Sequence, residues 1–164
     1  MKSLLILRHG KADRPPGVAD HERPLKKRGR RDAARIGKLL REEGTVPDRI
    51  VSSTAARARE TAVLAAEACG HEAAVELSEE LYHADPAGAL RVLSELYHDD
   101  ARVLIVGHNP TFEELLERLI GRYERLPTCA VAHVALPIDS WAELDANARG
   151  TLVGLWRPKD RERS

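Results

Sequence analysis

The sequence predicts a single-domain α/β/α layered fold with a mostly parallel central sheet. Short apolar runs alternate along the chain with longer segments whose apolar residues recur three and four positions apart. That alternation is typical of strands connected by amphipathic helices. The length of 164 residues suits one domain with a core of ordinary size. We expect the domain to span residues 1–158, with 159–164 as a frayed, solvated tail.

Five apolar runs predict the strands. The first three are almost continuously apolar, as strands covered on both faces of a parallel sheet would be. In chain order the runs are Ser3–Leu7, Arg49–Ser53, Arg102–Gly107, Ala130–Ile138 and Gly150–Trp156.

Four helices are predicted from apolar residues at helical spacing. They are marked by Ala33, Ile36 and Leu40; by Thr61, Leu64, Ala65 and Ala68; by Leu90, Leu93, Leu96 and Tyr97; and by Phe112, Leu115, Leu116, Leu119 and Ile120. The last helix also has end signals, with Asn109 as the N-cap, Pro110 at the first helical position and Gly121 as the stop.

Composition excludes several classes of protein. Lys plus Arg and Asp plus Glu both number 26, so no net basic charge favours nucleic acid. Cys69 and Cys129 lie far apart, which predicts neither a disulfide framework nor a zinc site. The first apolar run stops at Arg8, too early for a signal peptide or a membrane span. We expect a cytoplasmic protein with no membrane partner, and the absence of a GxGxxG motif argues against a dinucleotide cofactor.

Four cationic or imidazole side chains follow three of the predicted strands. Arg8 and His9 end the first strand, Arg57 comes shortly after the second, and His108 directly follows 102–107. Because the carboxyl ends of parallel strands meet at one edge of a sheet, we expect these residues to form one site. Arginine binds phosphate oxygens in pairs, and histidine can be a nucleophile, an acid or a donor. No acidic cluster accompanies them, so the sequence predicts a phosphoryl-binding site without a metal or other cofactor.

Three motifs in this order resemble the signatures of the histidine phosphatase superfamily, which includes the phosphoglycerate mutases. They are LRHG at 7–10, SSTAARARETA at 52–62 and VGHNP at 106–110. The compact length and DHERPLKKRG at 20–29 resemble the SixA-type phosphohistidine phosphatases. The resemblance implies a phosphoglycerate mutase-like fold, here without a cap domain because little chain separates the second and third motifs.

The resemblance also implies roles for the site residues. His9 would attack phosphorus and become transiently phosphorylated, while Arg8, Arg57, His108 and Arg23 would hold the phosphoryl oxygens. To attack, His9 must be neutral, with its other ring nitrogen donating a hydrogen bond, for which a backbone carbonyl near Gly10 is suited. We expect Gly10 to let the backbone turn closely beneath the phosphate.

Three carboxyl groups are candidates for the general acid. Asp20 matches an acid of the SixA-type pattern, and Glu79 or Glu80 stands where the mutase-like branch carries a glutamate. A phosphohistidine substrate lessens the need for any of them, because imidazole is easier to expel than an alkoxide. The choice among the three stays open at this point.

The sequence therefore predicts a metal-independent phosphatase whose substrate is phosphohistidine in a protein, for example a phosphotransfer protein. The alternatives are a phosphatase of a small phosphomonoester and a non-catalytic phosphate-binding module; a mutase is disfavoured because a short chain leaves no enclosed pocket. Two further sets of residues are predicted to be structural. They are the histidines His71, His83, His98 and His133 and the solvated basic run Lys26–Arg31.

Overall fold

The computed structural model describes residues 1–72, 74–96 and 99–158, which form a six-stranded mixed sheet between two layers of helices. The strands are β1 (Lys2–Arg8), β2 (Arg49–Ser53), β3 (Glu76–Ser78), β4 (Arg102–Gly107), β5 (Val131–Leu136) and β6 (Thr151–Trp156). The helices are α1 (Lys27–Glu42), α2 (Ala56–Cys69), α3 (Glu79–His83), α4 (Pro86–Ser94) and α5 (Thr111–Ile120), with short 3-10 turns at Asp20–Glu22 and Trp141–Glu143.

The strand order is β3-β2-β4-β1-β5-β6. Strands β3, β2, β4 and β1 are parallel to one another, whereas β5 pairs antiparallel with both β1 and β6. This confirms the predicted α/β class and a mostly parallel sheet. It also places the carboxyl ends of β1, β2 and β4 at one edge, where the loops that carry the predicted site begin.

Both faces of the sheet are buried, which explains the continuously apolar strands. Leu5 and Leu7 of β1 face a cluster formed with α1 and α2, while Leu4 and Ile6 of the same strand face a cluster formed with α4 and α5. All four side chains are fully buried, and each such burial stabilises the fold by about 1.5–3 kcal/mol. The alternation of side chains along β1 thus joins both helical layers to one strand.

The predicted elements are present, with two additions and a few shifted ends. Helix α4 ends at Ser94, so Leu96, which was expected in that helix, lies beyond it. Strand β3 and helix α3 were not predicted. Helix α5 begins at Thr111, one residue later than expected, with Pro110 in the N-cap position. Asn109 still caps this helix, since its Oδ1 accepts a hydrogen bond from the Glu113 N–H at 3.3 Å. Gly121 ends the helix in the left-handed conformation, as predicted.

Some predictions fall outside the described residues. These are the helical position of Tyr97, the structural role of His98 and the tail at 159–164. Among the helices that the structure describes, none combines the length and the apolar character that a bilayer crossing requires.

Candidate active site

The predicted residues converge on one cleft at the carboxyl edge of the sheet. Its volume is about 730 Å³, and Arg8, His9, Arg57 and His108 all line it. Arg8 ends β1, Arg57 lies in the first turn of α2, and His108 directly follows β4. The parallel arrangement of β1, β2 and β4 therefore brings together side chains that are up to 100 positions apart, as the sequence predicted.

His9 is held as a neutral imidazole with one nitrogen available. Its Nδ1 lies 2.8 Å from the carbonyl oxygen of Gly10, and because a carbonyl only accepts, Nδ1 carries the hydrogen and Nε2 is left with a lone pair. The backbone is fixed as well, since the His9 N–H donates to Gly107 O at 3.0 Å and the Cys129 N–H donates to His9 O at 3.1 Å. The side chain is only 8% exposed, and burial lowers the pKa of His9 to about 3.

Thr61 connects the loop after β1 to helix α2. Its hydroxyl accepts a hydrogen bond from the Gly10 N–H at 2.9 Å and donates to the carbonyl of Arg57 at 2.7 Å. The orientation of the His9 ring and the position of the Arg57 backbone thus depend on one buried hydroxyl. Sequence reasoning assigned Thr61 only to the helix core, although its position four residues after Arg57 is the spacing at which a threonine bonds back to its own helix.

Gly10 is required by packing against α1. A Cβ at Gly10 would lie 2.9 Å from the carbonyl oxygen of Gly29, and a Cβ at Gly29 would lie 2.3 Å from the carbonyl oxygen of Lys11. The two backbones therefore approach more closely than any side chain allows. Gly10 is not among the residues that line the cleft, so its predicted contact with phosphate stays a prediction.

Arg8 and Arg57 each present a buried donor that has no acceptor. The Nε atoms of both are buried and lack a hydrogen-bond partner among the residues described. Their terminal nitrogens are held elsewhere: Arg8 Nη1 donates to Leu126 O at 3.2 Å, and Arg57 Nη1 donates to Asp20 O at 2.7 Å. Burial lowers the pKa of Arg8. Buried donors without acceptors are costly. Both guanidinium groups belong to residues that line the cleft, where their charge favours an anionic ligand.

His108 lies next to His9, with ring centroids 5.1 Å apart. Its Nε2 is 2.8 Å from the hydroxyl oxygen of Ser53, the last residue of β2. Burial and then the charge of Arg57 lower the pKa of His108 to about 4. Both imidazoles are therefore neutral near pH 7, which limits the repulsion among four potentially cationic groups.

Asp20 lines the cleft as an anion surrounded by donors. Its carboxylate accepts hydrogen bonds from Tyr82 Oη at 2.7 Å and from Arg57 Nη2 and Arg23 Nη1, both at 3.1 Å. The hydroxyl of Tyr82, followed by the guanidinium groups of Arg23 and Arg57, holds the pKa of Asp20 well below its usual range. Arg23 also lines the cleft, where its Nε donates to Asp13 O at 3.0 Å. At neutral pH this Asp20 carboxylate has no proton to donate.

The two candidate glutamates lie outside the lining of the cleft. Neither Glu79 nor Glu80 is among the residues that line the cleft. Glu80 instead lies 3.7 Å from Arg91, measured between Oε2 and Nε, with both side chains exposed. The structure thus brings Asp20 and Arg23 to the four central residues but does not bring the glutamates there, and the assignment of a general acid stays a prediction.

Tyr82 and His83 were missed as functional residues. Both line the cleft, and the ring of Tyr82 contacts His21 at 4.7 Å, His83 at 4.7 Å and His108 at 5.7 Å between centroids. Because His83 lies in this wall, the structure does not support the expectation that it is merely structural. Strand β3 would have indicated their position, because it is parallel to β2 and the segment that follows it lies at the same edge of the sheet.

A metal site is not evident in the described part of the chain, where no three His, Cys, Asp or Glu side chains are grouped so that they could hold an ion. Six lysine or arginine side chains line the cleft against two carboxylates, those of Asp13 and Asp20, so its charge suits an anion rather than a cation.

Comparison with known proteins gives concordant results. Residues 4–85 match a family model described as histidine phosphatase superfamily (branch 1). The uncharacterized protein Rv1276c of Mycobacterium tuberculosis is 32% identical over 164 residues, which cover 93% of this chain and 100% of the relative. The structure is similar to that of SixA from Nakamurella multipartitia, a candidate phosphohistidine phosphatase, with a TM-score of 0.85 and 28% identity over 96% of each chain. A candidate SixA from Agrobacterium tumefaciens gives a TM-score of 0.77 and 29% identity, covering 96% of this chain and 98% of that one.

Proposed function

The chain belongs to the histidine phosphatase superfamily, and from that premise we propose that it is a metal-independent phosphatase acting on phosphohistidine in a protein, with His9 as the nucleophile. The observation that carries this proposal is the arrangement around His9. A neutral imidazole with a free Nε2 lies in the same cleft as two arginines whose buried Nε donors lack acceptors. A phosphoryl group supplies an electrophilic phosphorus for His9 and anionic oxygens for the two arginines that line the cleft.

The reaction has two displacement steps. The lone pair of His9 Nε2 attacks phosphorus while the bond from phosphorus to the substrate nitrogen breaks, and the electron pair goes to the leaving imidazole, which takes any proton it needs from solvent. Water then attacks the phosphorylated His9, the P–Nε2 bond returns its pair to the ring, and inorganic phosphate leaves after a proton passes to solvent. Arg8, Arg57 and His108 hold the phosphoryl oxygens, where negative charge is spread in the transition state.

The leaving group distinguishes phosphohistidine from an ordinary ester. Expelling an alkoxide calls for a positioned general acid, which contributes about 10²–10⁴-fold. Asp20 is held as an anion, and Glu79 and Glu80 do not line the cleft, so none of the three candidates offers a protonated carboxyl group beside His9. An imidazole leaving group needs this help least. The likeness to two candidate phosphohistidine phosphatases, both above 25% identity, supports the same choice.

The non-catalytic alternative is disfavoured by the same geometry. A module that only bound phosphate would gain nothing from a neutral imidazole whose Nδ1 is fixed by Gly10 O, because protonated histidine binds an anion more strongly. Burial that keeps His9 neutral suits a nucleophile instead.

The test compares two substrates in the presence of EDTA. Phosphate release is measured from a protein phosphorylated on histidine with phosphoramidate and from p-nitrophenyl phosphate, using the wild type, His9→Ala and a control, His71→Ala. His71 lies outside the cleft, with Nδ1 bonded to Pro47 O at 3.0 Å. We expect the wild type and the control to dephosphorylate the protein and His9→Ala to be inactive. Preference for the ester would indicate a small phosphomonoester instead, and loss of activity with EDTA would refute the metal-independent mechanism.

The covalent intermediate can be tested separately. Rapid acid-free quenching of the wild type with radiolabelled substrate should trap label on the enzyme as a phosphoramidate, stable in base and lost in acid. His9→Ala should trap none. Label that persists in His9→Ala would move the nucleophile to another residue.

A further inference from the structure

One side of the cleft carries a cluster of cations, here called the basic wall and defined as Lys11, Arg14, Arg23 and Lys26. All four line the same cleft as His9. Sequence reasoning treated the run that contains Lys26 as a solvated face. The structure divides that run, because Arg28 and Arg30 form ion pairs on the helix surface whereas Lys26 faces the cleft.

The basic wall is built on a short antiparallel pairing between 11–14 and 23–26. An isolated β-bridge joins Ala12 to Leu25. On either side of it, the Lys26 N–H donates to Lys11 O at 2.9 Å and the Asp13 N–H donates to Pro24 O at 2.8 Å. Ala12 and Leu25 are buried, so the pairing is anchored in the protein. Lys11 and Lys26 therefore lie on adjacent, mutually bonded backbone segments at the cleft.

Most of the charge on the basic wall is uncompensated. Arg23 is bound to Asp20, but within the described chain no ion pair reaches Lys11, Arg14 or Lys26, and all three are exposed. Asp13 is the one acid of the segments 11–14 and 23–26. Helix α1 begins directly after Lys26 with no acidic residue in its first turn, although the positive end of a helix dipole favours acids. A protein of zero formal net charge thus concentrates positive potential at this entrance.

We propose that the basic wall binds acidic side chains that flank the phosphorylated histidine of a protein substrate. This inference rests on the proposed function and narrows its substrate class. The phosphoryl group itself is accommodated by Arg8, Arg57 and the two imidazoles, so the exposed cations further out are free to contact other anions. Lysine is a flexible, strongly hydrated point charge, which suits a variable acidic surface more than a ligand of fixed geometry. A cationic approach to the cleft would also steer an acidic partner toward it.

The experiment uses two synthetic peptides with one phosphohistidine each, flanked by glutamates in one and by lysines in the other. Phosphoramidate itself serves as a substrate without flanks. The enzymes are the wild type, Lys11→Glu/Lys26→Glu, and the matched control Arg118→Glu/Arg122→Glu, which makes the same change in net charge at exposed positions that do not line the cleft. Binding of the unphosphorylated, fluorescein-labelled peptides is measured in parallel by anisotropy.

We expect the wild type to prefer the acidic peptide by about tenfold or more in kcat/KM at low salt, and this preference to shrink as ionic strength rises. Lys11→Glu/Lys26→Glu should remove or invert the preference while keeping kcat for phosphoramidate close to that of the wild type, because attraction of an anion to the cleft affects kcat/KM rather than the rate at saturation. The control should keep the preference.

Three results would overturn the basic wall as a binding surface. These are equal use of both peptides by the wild type, an unchanged preference in Lys11→Glu/Lys26→Glu, and binding of a single-stranded RNA of equal charge more tightly than the acidic peptide. Failure of the proposed function would look different, because phosphoramidate and both phosphopeptides would then all remain intact. The anisotropy arm would still decide whether the acidic peptide binds and whether Lys11 and Lys26 are responsible.

Discussion

Replacing Asp20 with asparagine distinguishes two roles for this side chain. One is that of a proton donor, and the other is that of an anion that holds Arg23 and Arg57 in place. If Asp20 were the general acid, its loss would slow hydrolysis of an ester with a poor leaving group by about 10²–10⁴-fold. In the structure, its carboxylate accepts hydrogen bonds from Tyr82, Arg57 and Arg23 instead. Those contacts keep the pKa of Asp20 low, so the carboxylate is ionised at neutral pH. We therefore expect a small effect.

The size of that effect follows from the contacts. Asparagine keeps the shape of the side chain and one acceptor oxygen but loses the charge. A charge-assisted hydrogen bond is about twice as strong as a neutral one, so three fully buried contacts would lose about 3 kcal/mol in total. The side chain of Asp20 is 54% exposed, and screening by solvent reduces this to about 1 kcal/mol. The expected loss in kcat/KM is therefore about fivefold, and it should be the same for every leaving group.

A series of aryl phosphates of graded leaving-group pKa measures this directly. For the wild type and Asp20→Asn, plots of log kcat/KM against leaving-group pKa should be parallel lines. Asp13→Asn, which changes a second carboxylate of the cleft, one that accepts a hydrogen bond from the Arg14 N–H, serves as the control. Tyr82→Phe should reduce activity in the same direction, and the double variant Asp20→Asn/Tyr82→Phe should lose less than the sum of the two single losses. A loss of about 100-fold or more that grows with leaving-group pKa would refute the reasoning and make Asp20 the acid.

Two further variants and one titration test other features of the structure. Arg57→Lys should lower kcat/KM by about 100-fold, because an ammonium group cannot reproduce two donors to Asp20 and a third to phosphate; steady-state kinetics near wild-type rates would exclude Arg57 from the site. The pKa of His9 is lowered to about 3, so its neutral form persists in acid, and its ring NMR signals should not titrate above about pH 5; a midpoint near the ordinary value of 6.5 would contradict this. Gly29→Ala places a Cβ 2.3 Å from Lys11 O and should cost about 3 kcal/mol or more in urea unfolding, whereas an unchanged midpoint would show that the two backbones separate freely.

The central residues were predictable because each follows a strand with a strong apolar signal. Runs such as 3–7 and 102–107 identify buried parallel strands without further information, and parallel strands end at one edge. The positions of His9 and His108 follow from those two facts. Even the hydrogen bond from His9 to the carbonyl of Gly10 could be anticipated, since a neutral nucleophilic imidazole needs a local acceptor for its other nitrogen.

The outer part of the site, formed by Tyr82 and the contacts of Asp20, could not be predicted from the sequence, and the reasons again lie in particular residues. Strand β3 has three residues, Glu76 to Ser78, with one large apolar side chain among them, so it gives no periodic signal. Tyr82 was consequently not assigned to the cleft edge. The contacts of Asp20 with Arg57 and Tyr82 join residues 37 and 62 positions apart, and no local pattern encodes such pairs.

The structure gives a second reason for a glycine at position 10, besides the one that the motif suggested. The sequence suggested that a glycine was needed beneath the phosphate, whereas the constraint in the structure is the close approach of the Gly29 carbonyl. Only the packing of helix α1 across the loop after β1 reveals it. A glycine that is buried against another backbone and one that is adjacent to a ligand are indistinguishable in a single sequence.

The electrostatics of the cleft link the proposed nucleophile to the binding of its substrate. Burial and neighbouring cations lower the pKa of His9 to about 3 and that of His108 to about 4, which keeps both rings neutral beside Arg8 and Arg57. Under the proposed mechanism, a bound phosphoryl group brings negative charge that opposes the arginines and favours the protonated form of His108. A protonated His108 would add a donor as charge develops on the phosphoryl oxygens. His9 would not gain a proton in the same way once its Nε2 bonds to phosphorus, because that nitrogen no longer has a free lone pair. We therefore expect the same burial to suit His9 for attack and to leave His108 neutral until the anion binds.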